Sequence, residues 1–460
     1  MLAGRLSGAG EPGRPGRMHW LALLAAAIAA VGAVELLTAP GEPDGPAAAP
    51  PAQAAVRSGA ARNYDETVAQ LDRAIRGARD RAAAQPGDWL PQEVLARAWF
   101  ARARLTGSFG DYAAAQAALD AAFATAPERA GPHLAQAVLD YSMHRLAAAE
   151  RQIGEIERYA IPSDRTERAD LDAMRGDIAF YRGDIGGAAA LYDRADASLP
   201  GAASFRRAIH ASRTGRIDKA EEYFDQTERD ARLPTPQLLA NLELQRGILD
   251  LERGRWEAAL GHFNEANRIF PGHWLIEEHI AEVTALNGDL AGAEARYRDI
   301  VRRTGHPEFM DALAGIARER GDAEAAAAWT ERAGQAWRQR LRQFPEAAYG
   351  HALDHCIGAG DWRCALTLAR RNHAARPYGE AKIMLARALL HNGRAAEARA
   401  TIEAVLASPW RTGDLHVTAA EIYARTGDSR ASAAQLRLAR RIDPRAAAEA
   451  AADLRLPAAA

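Results

Sequence analysis

Residues 176–200, GDIAFYRGDIGGAAALYDRADASLP, decide the fold. At their centre stands Gly183-Asp184, followed by the apolar Ile185; Ala188 lies five positions after the glycine, Pro200 seventeen after it and Gly176 seven before it. Small residues on both arms of a glycine turn let two antiparallel helices approach closely, because the side chains at a helix contact set the distance between the axes. The closing proline ends the second arm, since it lacks a backbone donor and its ring clashes with the preceding helical turn. The stretch therefore predicts a helical hairpin.

Working outward, the same offsets recur in Gly110-Asp111-Tyr112 with Ala115 and Pro127, in Gly254-Arg255-Trp256 with Ala259 and Pro271, and in Gly360-Asp361-Trp362 with Ala365 and Pro377. Gly215, Gly288, Gly321, Gly393 and Gly427 mark further units, and His144 takes the glycine's place in a degenerate one. Successive turns are then 34, 39, 32, 39, 34, 33, 39, 33 and 34 residues apart, which makes ten hairpins. Seven positions before each turn stands Ala or Gly, from Ala103 and Ala137 to Ala386 and Ala420, with Leu353 as the exception. Nine positions after it come bulky residues such as Leu119, Tyr192, Phe224, Phe263, Tyr297 and Leu436, placed to fill the groove between neighbouring hairpins.

A period near 34 with these small positions, this turn and this proline closely resembles the tetratricopeptide repeat family over residues 91–445. The resemblance implies an all-α fold, a right-handed α-solenoid of about ten hairpins whose concave face, lined by each first helix, holds peptides or partner proteins. Two features depart from the family. First helices often lack its aromatic positions, and three spacings of 39 demand insertions, one of which extends the second arm after Gly321 to Pro345 with Trp329 and Trp337 on it.

The flanks read differently. Residues 1–17 form a leader rich in Gly, Pro and Arg, and residues 18–38 an apolar segment that is either a signal peptide, with Ala52-Gln53-Ala54 as cleavage site, or an uncleaved membrane anchor. Residues 39–62 form a disordered Pro/Ala-rich linker, residues 63–90 a capping helix with Val68, Leu71, Ile75, Ala78 and Ala82 on one face, and residues 446–460 a C-terminal capping helix and tail. These segments predict an exported bacterial protein, periplasmic or anchored in the inner membrane and facing the periplasm.

Charge and chemistry narrow the function. Acidic and basic residues nearly cancel, 60 against 58, which disfavours nucleic acid as a partner. The G-x-G-x-x-G match at Gly8, Gly10 and Gly13 lies in the leader, without the strand and helix that a dinucleotide site needs. His351 and His355, four apart near Cys356 and Cys364, match no established ligand set, so no metal and no cofactor is expected. An oxidising compartment would allow a disulfide between these cysteines, while the repeat register puts Cys364 on the outer side of its helix, where the geometry is poor, so the pairing stays open. With the repeats filling most of the chain, no stretch remains for a separate catalytic domain. A catalytic site inside the groove would show as a pocket joining several ionisable residues with displaced proton affinities.

Function is therefore expected on the first helices. The candidate partner-binding groove comprises Arg97, Arg104, Asp177, Glu278, Glu282, Asp311, Asp354, Arg387 and Glu421, with acid outnumbering base in the middle. That sign favours a basic or amine-bearing protein or peptide. The reading is an interaction scaffold in an envelope assembly, not an enzyme. Its rivals are an accessory of polysaccharide export or synthesis, which solvent-facing aromatics in the groove would favour, and a regulatory subunit of an envelope enzyme.

Overall fold

The computed structural model describes residues 61–231 and 234–454. The leader, the apolar segment 18–38 and nearly all of the 39–62 linker lie outside the described residues, as does the tail from 455. Among the described residues there are 22 helices and no strand. Helix α1 (Tyr64–Ala84) precedes ten hairpins: α2/α3 (Trp89–Thr106, Phe109–Phe123), α4/α5 (His133–Ser142, Leu146–Ile156), α6/α7 (Arg165–Tyr181, Ile185–Ser198), α8/α9 (Ser204–Arg213, Ile217–Asp230), α10/α11 (Pro236–Leu251, Trp256–Ile269), α12/α13 (Trp274–Leu286, Leu290–Thr304), α14/α15 (Pro307–Glu319, Ala323–Gln343), α16/α17 (Pro345–Gly358, Trp362–Ala375), α18/α19 (Gly379–His391, Ala395–Leu406) and α20/α21 (Gly413–Arg425, Ser429–Ile442). Helix α22 (Pro444–Asp453) follows. No helix among the described residues is long and apolar enough to cross a membrane.

The turns work as their chemistry demands. Gly183 sits at φ 82°, a left-handed conformation that side chains oppose, and Asp184 caps α7 by accepting from the Gly187 backbone N–H. In the degenerate unit His144 adopts the same backbone at φ 58°. The first turn departs from the predicted register. It lies at Gly107, φ 67°, and Ser108 caps α3, so Gly110 falls inside that helix. A glycine followed at once by a capping serine ends one helix and starts the next three residues early. Asp111, freed from capping, instead accepts from Arg102 Nε at 2.8 Å.

Close approach of the two arms is measurable. A methyl group added at Gly176 would lie 2.4 Å from the Tyr192 ring, and one at Gly247 2.4 Å from Phe263. The small position before each turn and the bulky one after it are thus in van der Waals contact, in cores where packing leaves no space for another atom. First helices form the inner layer: α18 buries ten residues where α21 buries three.

The array coils tightly enough for successive turns of the superhelix to touch. Trp274 Nε1 at the start of α12 donates to Leu105 O of α2 at 3.0 Å, and Arg411 N donates to Arg213 O at 2.8 Å. At the end of the array, Arg445 Nε donates to Gly254 O at 2.9 Å and its guanidinium covers Trp256. Helix α1 packs on α2 and also reaches the next coil, where Tyr64 N donates to Pro271 O at 3.1 Å. The open concave groove implied by the family resemblance is therefore closed. Where the coils meet, charges on the inner helices such as Glu278, Glu282 and Arg387 are buried against protein, whereas Arg97 on α2 stays exposed.

The cysteine pairing that the sequence leaves open is settled by the fold. Cys356 and Cys364 are disulfide-bonded, with Cα atoms 5.8 Å apart, and join α16 to α17 around the Gly360 turn. Although on the outer side by register, Cys364 is the third residue of α17, close enough to the turn to face back across the hairpin.

Candidate inner chamber

Where the coils meet they leave a cavity of about 220 Å³. Arg213 of α8, Glu252 after α10 and Glu282 of α12 line it from one coil; Asp354 of α16, Glu380 and Arg387 of α18 line it from the other. Two of its cations are already matched. Arg213 pairs with Glu252 at 2.6 Å, while Arg387 pairs with Asp414 and donates to Thr418 Oγ1 at 2.7 Å. Arg376 donates to Asn372 Oδ1 at 2.9 Å and lies over Tyr181 and Tyr378.

Three carboxyls stand without such a partner and are displaced accordingly. Burial pushes Glu282 up to about 8, with the charge of Glu252 adding to it. Burial likewise raises Glu380 to about 7, against Arg213, and holds Asp354 well above the carboxylate range, with Glu380 adding and Arg387 opposing. Asp354 Oδ1, Arg376 Nε, Arg387 Nε and Trp410 Nε1 are buried without a hydrogen-bond partner. Burial therefore favours the neutral form of these carboxyls, and an arriving cation would favour their ionisation.

The predicted groove residues separate into three groups. Glu282, Asp354 and Arg387 are brought together in the chamber. Asp177 and Glu278 are buried within hairpins: Asp177 accepts from Tyr192 Oη at 2.9 Å and Arg206 Nε at 2.8 Å, and Glu278 abuts His279. Neither meets a partner on an open face, which corrects their assignment to a solvent-lined groove. The rest serve local contacts. Asp311 accepts from Trp337 Nε1 at 2.8 Å and bonds His355 Nδ1 at 2.6 Å. Glu421, despite burial, is held down to about 2 by its hydrogen bond to His391 and by Arg387 and Arg425. Arg97 is exposed beside Glu93 at 2.6 Å, and half-buried Arg104 lines a crevice near Asn241. His355 being bound to Asp311, and each cysteine to the other, the His351/His355/cysteine set does not assemble.

Sequence reasoning missed Arg213, Glu252, Arg376 and Glu380. The first two carried a signal, since both stand two positions before a turn glycine, Gly215 and Gly254, in consecutive hairpins. Arg376 and Glu380 lie at the connection around Pro377, which has no internal period, and only the meeting of coils gives them a role.

Helical hairpins at this period, stacked through small and bulky positions in register, define a tetratricopeptide-like superhelix. The chain matches no protein-family model and none of the curated proteins. Among solved structures it is similar to a tetratricopeptide repeat protein from Parabacteroides merdae, at 17% identity over 55% of this chain and 99% of that one, with a TM-score of 0.35. It is also similar to yeast Tom70, at 13% identity over 85% and 87% of the two chains with a TM-score of 0.36. A third, PilW, a type IV pilus biogenesis factor, shares 18% identity over 46% of this chain and 96% of its own, with a TM-score of 0.31.

Proposed function

We propose that the protein is a binding scaffold of the bacterial envelope whose inner chamber seats a positively charged group, such as a lysine side chain or chain terminus, of a protein or peptide partner. The observation that carries this reading is the chamber's excess of carboxyls: Asp354 and Glu380 face a cavity of about 220 Å³ with no cation bonded to them, while Arg213 and Arg387 are already paired. A cavity of that size suits one or two side chains instead of a bound length of peptide. Export is supported by the disulfide between Cys356 and Cys364, a bond that oxidising compartments maintain. The polysaccharide alternative gains no support, since none of the tryptophans among the described residues is exposed.

Calorimetric titration of the full chain with a lysine-rich peptide and with its glutamate-rich counterpart tests the proposal. The lysine peptide binds with proton release, because Glu380 ionises as the amine arrives, and binding tightens as pH rises through about 7. D354N/E380Q loses both effects. Equal affinity for the two peptides, or no change in the variant, contradicts the proposal. Displaced carboxyls also suit a hydrolytic site, so the bound peptide is recovered and weighed: an intact peptide supports binding, and a cleaved one supports catalysis.

A further inference from the structure

Besides Asp354 and Glu380, which the scaffold reading uses, α12 carries a compact cluster that shares Glu282 with the chamber wall. Glu278, His279 and Glu282 occupy one arc of the helix and are 0, 0 and 1% exposed. His279 Nδ1 lies 3.3 Å from Glu278 Oε2 and 3.2 Å from Glu282 Oε2, and one donor atom from each residue falls within 4.8 Å of the others. The imidazole stacks on Phe263 with ring centroids 5.0 Å apart, which fixes its plane, and Glu278 Oε1 lies 3.5 Å from the Tyr297 hydroxyl.

The hydrogen-bond arithmetic of this cluster does not close. His279 Nδ1 shares one hydrogen bond with Glu282 Oε2, its direction set by the tautomer, while Glu278 Oε2 and His279 Nε2 have no hydrogen-bond partner. No arginine or lysine pairs with Glu278 or Glu282 among the described residues, so a single imidazole, His279, stands against two buried carboxyls. Natural cores rarely leave such groups unanswered.

We propose that Glu278, His279 and Glu282 bind a divalent transition-metal ion of the zinc class. Zinc bonds to imidazole nitrogen and carboxylate oxygen are about 2.0–2.2 Å long, so tetrahedral donors stand about 3.4 Å apart. The two measured edges, 3.3 and 3.2 Å, already have that size. An ion of charge +2 neutralises both carboxylates and replaces the single proton with three contacts. One nitrogen with two carboxylate oxygens suits zinc better than magnesium, which prefers an all-oxygen and largely hydrated octahedron. Carboxylate and imidazole ligands bind a metal in their deprotonated forms, so metal binding at this cluster is favoured by higher pH. Glu282 also lines the chamber, which puts the cluster beside that cavity.

The full chain, stripped with a chelator and dialysed, is titrated with zinc against a chromophoric competitor. The wild type binds about one ion per chain, more tightly at pH 8 than at pH 6, and gains thermal stability on binding. E278Q/E282Q, which keeps the side-chain shapes and is checked for helicity by circular dichroism, binds at least about 100-fold more weakly and loses the thermal gain. Cobalt substitution gives visible absorption bands in the wild type alone. Zinc binding that survives in the folded double variant, no binding by the wild type, or magnesium competing as well as zinc overturns the proposal. The Asp354/Glu380 variant binds zinc as the wild type does, which separates this site from the amine site.

Discussion

Hairpins α6/α7 and α12/α13 bury an acid at the same place and answer it in opposite ways. Asp177 and Glu282 both stand six positions before the turn glycine, Tyr192 and Tyr297 both nine after it. In the earlier hairpin the neighbour supplies Arg206, whose Nε meets Asp177 Oδ2 at 2.8 Å with both side chains almost wholly buried. In the later one the equivalent residue of the following hairpin is Ala312, and the first helix adds a second acid, Glu278, and His279. The repeat supplies a slot for buried charge, and the sequence decides whether a side chain neutralises it or a ligand must.

The largest expected effect breaks the neutralised half of the comparison. R206A leaves the Asp177 carboxylate buried and uncompensated, and urea unfolding reads a loss of about 3–5 kcal/mol. R206K recovers only part of this, since an ammonium lacks the planar, always-charged guanidinium that meets Asp177 in this buried pair.

Next in size is a pH effect in the unneutralised half. Glu278 and Glu282 have native values of about 7 and about 8, above the range they take when unfolded. The native state thus holds more protons than the unfolded one between roughly pH 4.5 and 8, and stability falls as pH rises through that window. In chelator-treated protein the midpoint of thermal unfolding at pH 8.5 lies below that at pH 5.5, corresponding to a few kcal/mol. E278Q/E282Q flattens the slope, and added zinc reverses it for the wild type. A wild type whose stability rises across this window refutes the assignment.

Packing shared by both halves gives a smaller effect. Gly176→Ala drives a methyl into the Tyr192 ring beneath Asp177, and calorimetry reads a loss of about 1–3 kcal/mol. The smallest effect sharpens the contrast between the tyrosines. Y192F removes a 2.9 Å hydrogen bond and costs about 1 kcal/mol, whereas Y297F removes a 3.5 Å contact and costs less, both by denaturant titration.

How much of this was legible follows from what each residue depends on. Local chemistry wrote the hairpins: a left-handed glycine, a small residue seven before it and a bulky one nine after it act within one unit, and Gly176 against Tyr192 shows the two in contact. The long arm through Trp329 and Trp337 was readable for the same reason, and α15 runs to Gln343. The first turn was misplaced by three residues because Ser108 after Gly107 offered a cap that the aligned register ignored. The chamber was only partly legible. Glu282, Asp354 and Arg387 carry the inward periodicity, but the closure that buries them depends on how tightly the superhelix winds, a small rotation per hairpin accumulated over the array. Contacts such as Trp274 with Leu105, 169 residues apart, have no periodic trace. His279 carried no periodic signal, because its register position, nine before the turn glycine, holds residues as different as Met174, Arg206, Gln245 and Ala312 in other hairpins.

The account rests on the claim that acids on the inner helices are held neutral because no side chain answers them. A carboxyl-carbon NMR titration of chelator-treated protein with labelled glutamate, assigned through E278Q, E282Q and E380Q, tests this most directly. The account predicts three resonances with midpoints between about 7 and about 8, each removed by its own variant. Three glutamates titrating between about 4 and 5, as unperturbed carboxyls do, would contradict it.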